Sequence, residues 1–181
     1  RLPPGQAPAP GWGRPQPELD QALRQLGHTV RPWVPGLSPI PLKDNPFDGL
    51  DGISFTGSLA VGGNAFEAGE MLLTDKELSG PGALIPSASI FRRMYEGAGD
   101  DFTVDFLPAQ SRSETLQKLL DSRKEKGRRS VASVLGDFLP KRLATRLALL
   151  ARLQDVAASQ LTRIDAERLG ARRKRENPEQ T

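Results

Sequence analysis

Apolar positions change their spacing several times along this chain, and each change predicts an element. Leu19, Ala22, Leu23 and Leu26 share a helical face; Pro17-Glu18 opens that helix and Gly27 is placed to end it. Between Arg31 and Phe47 five prolines destroy any period. Proline at that density forbids a helix or a central strand, so the segment is predicted to run extended on a sheet edge, contributing Trp33, Val34, Leu37, Ile40 and Leu42. From Leu50 to Thr74 the texture is β, with short strands at Gly52–Phe55, Leu59–Val61 and Glu67–Thr74 and a turn at Gly62-Gly63-Asn64. Asp101–Leu107 alternates cleanly, placing Phe102, Val104 and Phe106 on one strand face before Pro108 stops it. Beyond Pro108 the period becomes helical. Ser111 and Glu114 have capping-box spacing ahead of Leu116, Leu119 and Leu120. Ser130 is placed to cap a second helix carrying Val131, Val134, Leu135 and Phe138. A long third one, opened by Pro140, bears Leu143, Leu147, Leu150, Ala157, Leu161 and Ile164. Three amphipathic helices with short turns predict a small bundle.

The densest information lies in Gly69–Leu84, GEMLLTDKELSGPGAL. Met71-Leu72-Leu73 is a buried-strand run, Thr74–Glu77 a polar turn, and Leu78-Ser79-Gly80-Pro81 the start of a helix. Ser79 is placed to cap its first amides, and Pro81 stands where a missing N–H costs nothing. Pro86 should kink or shorten that helix. A strand feeding a helix N-terminus through Gly and Ser has two readings: an anion site at exposed amides, or an ordinary capped helix. Asp75 and Glu77 weigh against a phosphate there, because two carboxylates beside the helix start repel it.

Composition narrows the chemistry. The chain has 181 residues, no Cys and one His, which excludes disulfides and thiolate metal sites and leaves no His cluster for a metal. No apolar run reaches membrane-spanning length and no secretory segment is evident, so a cytoplasmic protein with no membrane partner is expected. The net charge of +3 conceals a division: residues 1–110 carry 8 Lys/Arg against 13 Asp/Glu, and residues 111–181 carry 17 against 9. Four segments are predicted: a Pro-rich disordered lead at 1–17, a β-rich subdomain at 18–110, a helical subdomain at 111–170 and a basic disordered tail at 171–181. Arg172, Arg173, Lys174 and Arg175, with Arg128-Arg129 upstream, are the candidate contacts for an acidic partner or nucleic acid. A solvated helix end is the preferred account of them, because Phe138 is the sole aromatic of that half able to stack on a base, so nucleic acid is not expected. His28 reads as structural, the acidic residues are scattered, and Ser79 has no base partner. Gly62-Gly63 lacks dinucleotide-loop spacing. The residues by themselves describe a soluble α+β module and complete no active site.

Gly69, Glu70, Leu72, Leu73, Thr74, Leu78, Ser79, Gly80, Pro81, Ala83 and Leu84 match, in order, a strand-and-helix signature of a known family. So do Leu26–Val30 with Pro35-Gly36-Leu37 and Pro41-Leu42, then Leu50–Ile53, Val104–Pro108 and Leu139–Leu143. Together these ordered matches resemble the insert domain of the bacterial NAD(P)/FAD-dependent oxidoreductases, the aminoacetone oxidase and BaiN-like flavoproteins. Asp75 and Glu77 depart from that family's His and Gly, and Pro86 intrudes on the helix.

The resemblance implies a small antiparallel β-barrel-like subdomain followed by a three-helix bundle, in an α+β fold. It implies FAD in the parent enzyme, held by a flavin-binding domain in cis or in trans, with this chain the insert that lies over the substrate side. Neither the N-terminal G-x-G-x-x-G element nor the C-terminal Gly-rich segment of the flavin domain is found here. The chain alone is therefore expected neither to bind FAD nor to catalyse. Thr74, Asp75, Ser79, Gly80 and Pro81 are the residues expected nearest the cofactor. The alternatives are a free-standing interaction module that uses its basic helical half to bind an acidic partner or nucleic acid, or a degenerate gene fragment with no present function.

Overall fold

A computed structural model describes residues 17–42, 45–99, 102–125 and 128–169. In chain order they form α1 (Pro17–Gln25), β1 (Ile40–Pro41), β2 (Ser54–Val61), β3 (Asn64–Ala65), β4 (Gly69–Leu73), β5 (Glu77–Ser79), α2 (Pro81–Tyr95) and β6 (Phe102–Asp105). Then follow α3 (Arg112–Glu125), α4 (Val131–Leu135), α5 (Lys141–Leu150), a 3₁₀ turn at Ala158–Gln160 and α6 (Arg163–Leu169). The fold is α+β, with a curled, barrel-like antiparallel sheet.

β2 organises the sheet. Its inward residues Phe55, Gly57, Leu59 and Val61 are all buried, at the two-residue period of a half-buried strand. Ser54–Gly57 pair with β4, while Ser58–Val61 pair with β6. The partner changes at Gly57, where a Cβ would lie 2.9 Å from the Phe55 ring and 3.0 Å from the Asp105 carbonyl oxygen. A glycine there lets the strand curl so that two neighbours can approach one backbone. The sequence pattern suggested two short strands because Gly57-Ser58 interrupts the apolar run. The glycine instead occupies a core position and the strand is continuous. At the far edge Ile40 pairs with Leu78, so Ile40-Pro41 of the proline-rich segment lie on a sheet edge as predicted, while Pro32 and Ser38 bond to α2 instead.

α2 packs on β2 and β4 and covers this sheet. It runs from Pro81 to Tyr95 through Pro86, so the expected shortening does not occur. Only the bond to the Gly82 carbonyl is forgone, and the ring is fully buried. The first core gathers Leu59, Met71, Leu73, Leu78, Ile90 and, from the helical half, Leu143.

The helical half departs from a three-helix bundle: four helices and the 3₁₀ turn enclose a second core. The predicted long third helix stops at Leu150. There Arg152 adopts a left-handed backbone (φ 61°), its N–H donates to the Leu149 carbonyl, and the Leu153 N–H donates to Ala148. This is a Schellman ending, with Leu153 buried behind it. The chain then crosses back, pairing Ala157 with Ser130, before the 3₁₀ turn and α6. Ile164, counted in the predicted stripe, is 65% exposed, and Phe138 lies beyond the end of α4. Both predicted caps form: Ser130 Oγ accepts from Ser133 N–H, and Ser111 and Glu114 bond reciprocally.

The halves are locked together. Phe106 packs in both cores and stacks at 5.1 Å on Phe55. The guanidiniums of Arg142 and Arg146 on α5 donate to the Gly49 and Asp48 carbonyls of the loop before β2.

Candidate functional site

The Gly69–Leu84 stretch folds as strand, hairpin, second strand and helix. Thr74 closes the β4–β5 hairpin: its N–H and its Oγ1 both donate to the Glu77 carbonyl, each at 3.0 Å. Asn45 Nδ2 donates to the Asp75 carbonyl at 2.7 Å and steadies the exposed tip. Glu77–Ser79 is β5, not the start of a helix, because Leu78 is drawn between Ile40 and Leu73. Ser79 is the last residue of that strand, paired with Leu72, and does not cap α2. The N-cap position belongs to Gly80 (φ 84°), which lacks a capping side chain. Its carbonyl takes the Ala83 and Leu84 amides.

Backbone contacts dominate the helix start. A Cβ on Gly80 would lie 2.7 Å from the Glu70 carbonyl oxygen and 3.0 Å from Met71 Cα. On Gly82 it would lie 2.8 Å from the Gly69 oxygen, and on Gly69 it would lie 3.0 Å from the Gly82 nitrogen. Three glycines thus press the first turn of α2 against β4 with no atoms to spare.

This geometry bears directly on FAD. A diphosphate at a helix start needs open amides and room before them. Here the β4 backbone crowds that room, and Asp75, expected beside the helix start, stands instead at the hairpin tip on the far end of β5. The residues of this junction therefore do not fit the cofactor's diphosphate. Nor does the fold gather all five predicted positions at one point. Thr74 and Asp75 stand at the hairpin tip, whereas Ser79, Gly80 and Pro81 lie at the other end of β5, roughly 10 Å away at about 3.3 Å per residue.

Elsewhere, Leu23, His28, Val30, Trp33 and Arg92 line an open depression of about 430 Å³ between α1 and α2. Trp33 Nε1 donates to Asp20, and Arg92 donates to the Pro32 carbonyl at 2.7 Å. Among the described residues no group of three acidic or histidine side chains could hold a metal. Arg129, one of the upstream basic pair, is held by Asp137 and Ser133, and the hydrogen bond to Asp137 raises its pKa above the ordinary arginine value. Arg172, Arg173, Lys174 and Arg175 lie outside the described residues.

Leu37 and Trp33, expected to supply apolar contacts, are instead 72% and 52% exposed, and the left-handed backbone of Leu37 (φ 53°) is what the sequence reading missed. Its neighbours Gly36 and Pro39 were the available signal that this segment turns sharply.

A curled antiparallel sheet, a covering helix and a helical half built around two tight turns define a barrel-plus-helix module. Residues 34–173 match the family described as the HI0933-like protein barrel and H2TH domain, and the chain belongs to that family of FAD-dependent oxidoreductases. A relative from Clostridium scindens, the 3-dehydro-bile acid delta(4,6)-reductase, is 31% identical over 144 residues. The match covers 76% of this chain and 35% of that protein, so the chain spans about a third of the relative's length.

Proposed function

We propose that this chain is the lid of a flavin-dependent oxidoreductase. It lies over the substrate side of a flavin-binding domain, joined in cis or supplied in trans, in a bacterial cytoplasmic enzyme. FAD is bound by that partner, and the lid presents Thr74, Asp75, Ser79, Gly80 and Pro81 towards it. Residues 18–110 supply the presenting surface, and residues 111–170 brace it through the Arg142 and Arg146 contacts.

One observation carries the reading: a family match over residues 34–173 in a chain that aligns with only 35% of a reductase relative. The junction geometry supports it, because a hairpin tip and helix start braced by backbone packing are suited to presenting a rigid edge, not to enclosing a cofactor. The test is the flanking coding sequence together with the spectrum of the purified chain. The reading expects two halves of a flavin domain around this segment and a chain without flavin absorbance. Stoichiometric flavin retained by the isolated chain through gel filtration contradicts it.

A further inference from the structure

We propose that the depression between α1 and α2 is a binding site for a small aromatic carboxylate. It shares no residue with the turn assigned to the flavin side, and it does not depend on the lid reading.

The segment after α1 builds the wall. Gly27 (φ 84°) ends the helix and turns the chain back, and the His28 N–H donates to the Leu23 carbonyl at 3.0 Å. The next residues are then tied on both sides. Arg24 of α1 donates to the Val30 carbonyl at 3.4 Å, and Arg92 of α2 donates to the Pro32 carbonyl at 2.7 Å. The space left between them, about 430 Å³, has the size of a small-ligand site, for which about 300–1,000 Å³ is usual.

Two kinds of group line it. Leu23 and Val30 supply partly buried aliphatic surface, and Trp33 supplies a half-exposed indole. The indole N–H donates to Asp20 at 3.1 Å, which orients the ring and engages that carboxylate. Arg31 and Arg92 bring the charge. Arg92 is partly buried and spends one N–H on the Pro32 carbonyl; its other N–H groups, and those of Arg31, have no acceptor among the described residues. Exposed arginines alone are ordinary surface. Here guanidinium donors and an aromatic ring line the same depression, and that pairing selects a ligand with a flat apolar body and an anionic end. The body packs on Trp33, and the carboxylate takes a forked pair of N–H bonds from one of the arginines. Asp20 opposes a second negative charge, so a monoanion suits the site better than a dianion.

The test is an NMR titration of the isotope-labelled intact chain with naphthoate at constant ionic strength, the Trp33 indole signal being identified by its loss in Trp33→Phe. The expected result is saturable shifts of that indole and of the amides of residues 28–34, with a dissociation constant on the order of 1 mM. Naphthamide, which has the same ring and no charge, should bind at least fivefold more weakly. Arg31→Gln and Arg92→Gln should each weaken naphthoate at least threefold, whereas Arg123→Gln on α3 should leave it unchanged. Arg31 is exposed and bonds to no described residue, so its variant reports on the ligand even where Arg92→Gln loosens the segment. Shifts that do not saturate, equal binding of naphthamide, or binding that survives Arg31→Gln undiminished would each overturn the proposal.

Discussion

In the sheet half, pairing joins residues far apart in sequence, and contacts between backbones set the tolerances. Ile40 meets Leu78, Ser58 meets Asp105, and Gly69 meets Gly82 with no room for a methyl group. In the helical half the determinants are local: a capping box at Ser111–Glu114, a cap at Ser130 and a Schellman ending at Arg152. Its core includes Ala144, Ala148, Ala158 and Ala166, where the first core has Ala83 among larger Leu, Ile, Val, Met and Phe side chains. The sheet half is thus limited by what can be added at its glycines, and the helical half by how its turns end. The candidate site lies in the first kind of structure, which explains why glycines and a proline, and not chemically reactive side chains, carry its signature.

Substitutions should expose that contrast. Gly80→Ala combines a positive φ with a Cβ 2.7 Å from the Glu70 oxygen, and is expected to cost about 3 kcal/mol or more in urea unfolding. Leu143→Ala, fully buried and packed in the sheet core although it belongs to α5, should cost about 2–5 kcal/mol. Its loss should lower both halves in one transition, since α5 also lines the second core; two separate transitions would show that the halves unfold independently. Arg152→Gly should have the opposite sign, stabilising by up to about 1 kcal/mol in thermal unfolding, because glycine meets the left-handed Schellman position without strain.

The smallest effect is at Glu114. Hydrogen bonds from the Ser111 amide and then the Ser111 hydroxyl hold its carboxyl below the ordinary carboxylate value. A depressed folded pKa contributes stability that is present above the unfolded value, about 4.3, and is lost as pH falls through the folded one. Urea midpoints of wild type and Glu114→Gln should therefore differ slightly at pH 7 and converge at lower pH.

Much of the fold was legible because caps and alternation are local signals. Ser111, Ser130 and Pro140 marked helix starts, and Phe102 and Val104 marked a strand, which ends at Asp105 before Phe106. The errors share a physical cause. At Gly57 a glycine stands in a core position because two strands crowd it, and at Arg152 a non-glycine takes the left-handed turn that splits the third helix. At Ser79, β5 wins over the helix because Leu78 is worth more in the sheet core than a serine cap is worth to α2. Each outcome depends on tertiary neighbours that sequence spacing does not display. The candidate site was legible as a stretch but not as a shape, since the Gly69–Gly82 contact joins two elements across a hairpin.

The central claim is that this stretch is a backbone joint and not a phosphate cradle, and unfolding with and without pyrophosphate tests it most directly. A ligand that binds the folded chain raises the midpoint by RT ln(1 + [L]/Kd). The account predicts that Gly82→Ala loses about 1–3 kcal/mol and that pyrophosphate at matched ionic strength leaves the wild-type midpoint unchanged. A midpoint that rises with pyrophosphate, and a Gly82→Ala variant as stable as wild type but without that rise, would contradict it.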